Sequence, residues 1–462
     1  MLNKSNFMAS AEWMKENLGP ALCLAKWKQL SLHLTTGLNN SCYHPPLHPI
    51  DATVLKDNPG ALHNTEHKKQ QRVIMLRNER PQECSYCWTQ EDLGNLSDRH
   101  YRSGEPWAAE DYETIQSSTG TEEDVVPSYV EVNFNHACNL KCSYCSPQFS
   151  SSWQAEVDKY GGFPTSTIHN DPSHFTGRNR PIPASQPNPY VDAFWDWFPT
   201  LYPKLKHFRM TGGEPLMDKN TYRVFDYVLA LPNPELHLDV TSNFSVEPAL
   251  FEKYLGYVKN LCNTQIEHFM QYVSLDSGRK THAEYIRNGL NFGRMAFNVE
   301  QYLVQVPYRN SLTFIITMNN LSVLGLQSQL EWILALRRQH STTYQRVWFD
   351  TPLLRQPKWQ SLQILPPVYV AVLERVADWM ELNLETAEDP FHGFKDYEVQ
   401  RMRRDIDWMR EGRNLDPDYV RLQRADFHRF FNEHDKRRKT DFLTTFPQMR
   451  EFWEECRYHA QN

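Results

Sequence analysis

The sequence predicts an α/β protein organised on a parallel sheet. Apolar, β-branched runs recur through the middle of the chain with helix-period segments between them, the rhythm of βα units. Three of those runs end in small polar triplets, Thr241-Ser242-Asn243, Ser274-Leu275-Asp276 and Thr317-Met318-Asn319, where the carboxyl ends of such strands present groups to a ligand. Beyond Pro357 the pattern turns helical, over 367–385, 396–411 and 418–458. Strands are expected at 129–134, 206–211, 236–242, 269–275, 310–318 and 346–350. Six strands fit a partial (βα)6 TIM-type barrel over 128–355 better than a closed eight-stranded one. A small N-terminal α+β module, expected over 1–113, leads through the acidic, polar linker 114–127 into the barrel, and a helical region over 356–462 follows it.

Composition bounds the function classes. At 462 residues, with 13% aromatics, the chain is long enough for two or three packed domains. Its 49 Lys and Arg stand against 56 Asp and Glu, a net charge of −7 that argues against a nucleic-acid binder. The basic runs Arg401 to Arg404 and Lys436 to Lys439 read as solvated helix faces. The first twenty residues carry Lys4, Glu12, Lys15 and Glu16 with no apolar run, so neither a signal peptide nor a membrane span is expected and the protein reads as cytoplasmic. In that compartment the nine cysteines are reduced thiols or metal ligands rather than disulfides, and Asn243-Phe244-Ser245 is no glycosylation site.

Taken along the chain, Cys23, Cys42, Cys84 and Cys87 come first. Four thiols fill a closed metal site. Cys23 and Cys42 bracket the apolar run Trp27 to Leu34 and a turn at Gly37 to Asn40, which reads as a hairpin, and the helical stretch 64–78 is expected to return the chain so that Cys84-Ser85-Tyr86-Cys87 completes the set. The strand at 129–134 then runs directly into Cys138-Asn139-Leu140-Lys141-Cys142-Ser143-Tyr144-Cys145, a C-x3-C-x2-C loop. Three thiolates on one loop hold three irons of a [4Fe-4S] cube and leave the fourth open. A structural zinc site is the other reading, but it wants a fourth ligand, and His136 is awkwardly close to Cys138 for that role. A segment rich in Pro, Asn, Ser and His, 161–190, reads as a loop covering the substrate. The strand from Lys206 ends in Gly212-Gly213-Glu214-Pro215, where the glycines allow close backbone approach and Glu214 can accept hydrogen bonds from an ammonium group. Cys262 and Cys456 fit neither set and read as ordinary buried thiols.

The C-x3-C-x2-C loop, with Tyr144 before its last cysteine, and the later Gly-Gly-Glu-Pro turn together resemble the radical S-adenosylmethionine (SAM) enzymes. That resemblance implies a [4Fe-4S] cluster on Cys138, Cys142 and Cys145 whose open iron chelates SAM, with Tyr144, Gly212, Gly213, Glu214, Pro215, Ser242, Asn243, Ser274 and Asp276 around the cofactor. It further implies reductive cleavage of SAM to a 5'-deoxyadenosyl radical that abstracts a hydrogen from substrate, with an electron donor such as a flavodoxin or ferredoxin. Arg287 resembles a family position, an exposed helix arginine being the alternative. The N-terminal cysteines, with Glu91, Gly94, Ser97 and Arg99, resemble the SPASM and twitch auxiliary modules, as in twitch-type, phage-like members. This implies a second iron-sulfur cluster on Cys23, Cys42, Cys84 and Cys87, with zinc as the alternative. Here the module precedes the barrel, where relatives carry it after. The relatives' substrates point to a peptide or protein side chain. The readings kept beside that one are a small molecule such as a sugar or nucleotide, RNA, and a non-catalytic metal-binding interaction protein.

Overall fold

A computed structural model describes residues 10–118, 124–166, 180–183, 185–263, 265–307 and 310–462. Eleven strands are β1 (Gln29–His33), β2 (Leu38–Asn40), β3 (His48–Pro49), β4 (Tyr129–Asn133), β5 (Lys141–Cys142), β6 (His207–Thr211), β7 (Asn233–Ser242), β8 (Ile266–Ser274), β9 (Arg287–Asn288), β10 (Ser311–Ile315) and β11 (Val347–Asp350). Nine of them form one sheet in the order β11-β10-β8-β7-β6-β4-β1-β2-β3. Every neighbouring pair from β11 to β1 is parallel, and β2 and β3 finish the edge antiparallel. The fold is therefore mixed α/β on a mostly parallel sheet, and each of the six expected strands lies in it.

The N-terminal hairpin is present, with Leu32 opposite Asn39 and Gly37 at the turn in the left-handed region (φ +64°) that glycine tolerates best. Beyond the hairpin, β1 lies parallel to β4, Leu30 opposite Val130 and Leu32 opposite Val132. The sheet thus crosses the expected boundary between module and barrel. The buried Leu30, Leu32 and Leu34 join the main core, while Met14, Leu18, Trp27, Met75, Trp88 and Trp107 build a second, smaller core around the four N-terminal cysteines. The expected helix at 64–78 spans Glu66–Leu76, its first turn capped by Thr65, which accepts from the Lys68 N–H.

Alternation along the strands decides what the two faces do. Val130, Val132, Phe208, Met210, Leu238 and Val240 face outward and are sealed. Helices such as Lys219–Ala230 and Pro248–Leu261 supply the covering side chains, among them Phe225, Val228, Phe251 and Tyr254. The other face carries Glu131, Arg209, Asp239, Thr241, Met270 and Tyr272, an unusually polar set for a parallel sheet. The C-terminal region is helical as expected, in Val368–Glu381, Asp396–Glu411, Pro417–Arg438 and Arg450–Gln461. No helix among the described residues is long and apolar enough to cross a membrane. Of the 161–190 loop, residues 167–179 and 184 lie outside the described residues, as do residues 1–9, 119–123, 264, 308 and 309.

Candidate metal and cofactor site

The chain leaves β4 at Asn133 and folds the cysteine loop over the carboxyl ends of the strands. Asn135 starts the turn, its Oδ1 accepting from the Ala137 N–H at 2.7 Å. The helix Ser151–Tyr160 fixes the first cysteine: Ser151 Oγ accepts from the Cys138 N–H (3.2 Å) and the Ser152 hydroxyl donates to the Cys138 carbonyl (2.7 Å). Cys142 lies on β5, which pairs antiparallel with β9 so that Cys142 faces Arg287. The Trp153 indole donates to the Cys142 carbonyl (2.8 Å), and the Gln360 amide brackets Ser143 through both its carbonyl (3.0 Å) and its hydroxyl (2.8 Å). Cys145 closes the loop, its N–H donating to the Cys142 carbonyl at 2.9 Å.

Behind this loop stands a buried polar cluster. Arg287 is only 6% exposed and occupies β9, which corrects the reading of it as an exposed helix arginine. Its guanidinium reaches the Cys142 sulfur (3.6 Å), the Tyr144 hydroxyl (2.6 Å) and Asp276 (2.9 Å). Asp276, fully buried, also accepts from the Tyr144 hydroxyl (2.8 Å) and the Thr317 N–H (3.0 Å). The second cation is Arg438, at the end of helix Pro417–Arg438. It donates to the Lys141 carbonyl (2.9 Å), pairs with Glu156 (3.2 Å) and lies 4.7 Å over the Trp153 ring. Arg437 binds the carbonyls of Gly161 and Gly162, both at 2.9 Å. With side-chain exposures of 4% and 1%, Arg437 and Arg438 are not the solvated face the basic run predicted.

The Gly-Gly-Glu-Pro turn backs onto the same loop. Gly212 has φ +122°, and a Cβ there would come 2.4 Å from Asn133 Oδ1; at Gly213 it would meet the Ala137 carbonyl at 2.3 Å. Only glycines allow this approach. It is sealed by the Glu214 N–H donating to the Ala137 carbonyl (2.7 Å). The Glu214 carboxylate is buried and accepts from the Ser242 hydroxyl (2.7 Å), the Asn243 N–H (2.8 Å) and the Leu216 N–H (3.2 Å). Burial, against those three donors, pushes its carboxyl up to about 7. Asn243 completes the tie, its side-chain amide donating to Asn139 Oδ1 (2.8 Å). Gly212 to Pro215, Ser242 and Asn243 are therefore brought to the cysteine loop, and Ser274 ends β8 half-buried two residues before Asp276. Glu214 and Asp276, both expected around the cofactor, have carboxylates that join protein elements to one another.

The donor set fits a metal. Burial pushes the Cys138 thiol well up and the Cys145 thiol up to about 12, while beside Cys142 burial is opposed by Arg287 and then Asp276 adds to the rise. Buried thiols in this state ionise readily only when a cation compensates them, which a bound metal does. Among the described residues no group of three or more His, Cys, Asp or Glu side chains already has the arrangement of a metal-ion site. The fit accordingly rests on the donors and the charges around them.

The four N-terminal cysteines line a single cavity, together with Lys26, Tyr43, Trp88, Asp98, Arg99 and Arg102. Cys23 precedes the helical turn Ala25–Lys28, Cys42 follows β2, and Cys84 and Cys87 open the helix Ser85–Asp92. Glu91, Ser97 and Arg99 are a brace: Arg99 pairs with Glu91 (2.7 Å), takes the Leu22 carbonyl (2.7 Å), and the Ser97 hydroxyl donates to Glu91 (2.6 Å). Burial pushes Cys42 up to about 11 and Cys84 and Cys87 up to about 12, with Lys26 pulling Cys84 back. This cavity faces the polar side of the sheet. The Tyr43 hydroxyl donates to Glu131 on β4 (3.0 Å), and Tyr86 lies 4.8 Å beneath the guanidinium of Arg355, which follows β11. The module so touches both β4 and the segment that follows the edge strand β11.

Arg438, read only as part of a basic run, and Gln360 reach the loop from distant elements, and Glu156 sits on the next helix but belongs to no motif. Cys456 is buried as expected, and Cys262 is partly buried. In comparison with known proteins, the chain matches no protein-family model and no curated protein.

Proposed function

We propose that the chain is a radical SAM enzyme with a second metal site on its N-terminal module, its sheet a partial (βα)6 TIM-type barrel extended by β1. What supports this above all is the backbone-to-backbone packing of the Gly212-Gly213-Glu214 turn on the Cys138 to Cys145 loop at the carboxyl ends of adjacent strands. In this reading Cys138, Cys142 and Cys145 hold a [4Fe-4S] cluster and SAM lies beside it against Gly212, Gly213, Tyr144, Ser242 and Ser274. Cluster and SAM supply, when bound, a one-electron cleavage to methionine and a 5'-deoxyadenosyl radical that takes a hydrogen from substrate. The chain's own residues position and shield: Glu214 and Asn243 clamp the glycine turn to β7, and Asp276 and Arg287 hold Tyr144 and the loop around Cys142. Lys26, Arg99 and Arg102 in the wall of the second cavity offset the negative charge that four thiolates keep around an iron-sulfur cluster or a zinc ion. The substrate is a peptide or protein side chain, and a flavodoxin- or ferredoxin-type donor supplies the electron.

Anaerobic reconstitution tests the reading. The wild-type chain is expected to take up two clusters and to form 5'-deoxyadenosine under reduction. The triple change Cys138→Ala, Cys142→Ala, Cys145→Ala should remove one cluster and abolish that product. Reductive SAM cleavage by the triple variant overturns the proposal. Zinc in place of the second cluster leaves the first site standing and removes an electron-transfer role for the second.

A further inference from the structure

The polar face of the sheet carries a layer that the cofactor reading does not use. Glu131 on β4, Arg209 on β6 and Asp239 on β7 stand side by side in register, with Thr241 and Tyr272 paired one step nearer the carboxyl ends. Their sequence neighbours on the other face, Val130, Phe208, Leu238 and Val240, are sealed beneath helices. Glu131 and Arg209 keep 16% and 19% of their side chains exposed, so this face borders solvent.

Arg209 is fully engaged. Its ion pair is with Glu131 (3.6 Å), its Nε and Nη2 both donate to Thr241 Oγ1 (3.2 and 3.1 Å), and its guanidinium lies 4.1 Å over the Tyr272 ring. Glu131 takes a second donor in the Tyr43 hydroxyl. Asp239, the register partner of Arg209, feels that guanidinium only electrostatically and takes neither an ion pair within 4.0 Å nor a hydrogen bond among the described residues. It is 6% exposed, and among the described residues nothing donates a hydrogen bond to its carboxylate. Glu131 and Asp239 against Arg209 leave one negative charge in the layer. The Asp239 oxygens are not sealed off from the space over this face, and a largely desolvated carboxylate is costly until a donor or a cation reaches it.

We propose that Asp239 anchors the positively charged group, an ammonium or guanidinium, of the substrate. The layer lies three residues below Ser242, about 10 Å beneath the top of β7 at strand rise, a depth that only a long, extended cationic group would reach. Burial pushes the Asp239 carboxyl up to about 7, opposed by Arg209, and a bound cation would draw it down again. The inference rests on the proposed reaction only for where substrate enters; Asp239, its burial and its missing donor do not depend on it.

Binding to the reconstituted full chain, followed by calorimetry, tests this with defined probes: acetylated tripeptide amides Gly-Lys-Gly, Gly-Arg-Gly, Gly-norleucine-Gly and Gly-Glu-Gly, and the free diamine cadaverine. The lysine or arginine peptide should bind at least tenfold more tightly than the norleucine and glutamate peptides, and Asp239→Asn should erase that difference. Tighter binding of cadaverine than of either cationic peptide would keep the cation anchor and assign it to a small amine. Equal binding of all peptides, a preference that survives Asp239→Asn, or no binding of any cationic probe overturns the inference. Iron content and thermal melting control for folding. Should Asp239→Asn fail to fold, Asp239→Glu must retain the lysine-over-norleucine preference, and its loss there counts against the anchor. None of these readouts requires SAM cleavage, so failure of the radical reading and failure of this one are separately visible.

Discussion

Arg287 is the residue on which the cysteine loop turns. It compensates Asp276, holds the Tyr144 hydroxyl and reaches the Cys142 sulfur, all away from solvent. Removing one partner of a buried ion pair strands the other's charge, a loss of about 3–5 kcal/mol. Arg287→Gln should therefore lower unfolding stability by that order, read by urea denaturation, whereas the double change Arg287→Gln with Asp276→Asn should recover much of it. A double variant no more stable than the single would show that Asp276 is not left uncompensated. Asp276 also shows where reading residues from sequence stops. Its place at a strand end was visible, but the Tyr144 hydroxyl and the Thr317 N–H that donate to it come from separate segments and belong to no local pattern. The donors that Glu214 gathers from Ser242, Asn243 and Leu216 were equally invisible.

At the scale of elements, the parallel strands were legible because their outward residues, such as Val130, Val132, Phe208 and Met210, form an apolar series that helices must cover. β1 was legible only as half of a hairpin. Its alternation, Gln29-Leu30-Ser31-Leu32-His33, fits a local partner, and nothing in it announces parallel pairing with residues a hundred positions away. The helix Asp396–Glu411 was equally plain, but its seat beside β11 was not. Asp405 on that helix accepts from the Thr351 hydroxyl at 2.7 Å. Burial pushes its carboxyl up to about 7, opposed by that bond and by Arg401 and Arg404. A raised carboxyl pKa means that the folded chain holds the proton more tightly than the unfolded one. The stabilisation is present below the unfolded value, near 4, and is lost as pH rises to about 7. The stability of wild type relative to Asp405→Asn should accordingly fall between pH 4.5 and 7.5 by on the order of 2–4 kcal/mol. A difference independent of pH across that range would show that Asp405 is ionised in the fold.

For the molecule as a whole, the N-terminal module is either an appendage or part of the main sheet's own stability. Its small core around Trp27, Met75 and Trp88 is separate from the main one, which taken alone predicts a unit that melts by itself. Three connections oppose that. The β1 leucines belong to the main core, β1 supplies the parallel partner of β4, and Tyr43 and Tyr86 reach Glu131 on β4 and Arg355 beyond β11. Unfolding the module would bare the ladder edge of β4, the strand that runs directly into the cysteine loop, and leave its backbone groups unpaired. Metal bound only by the folded module adds its binding free energy to the folded state. Cys84→Ser with Cys87→Ser should therefore lower the melting temperature of the full chain in a single calorimetric transition and loosen the Cys138 to Cys145 loop with it; under the proposed function, less iron is then retained on Cys138, Cys142 and Cys145. A second, low-temperature transition that leaves the main one unmoved would make the module autonomous; the position of β1 in the sheet predicts one transition.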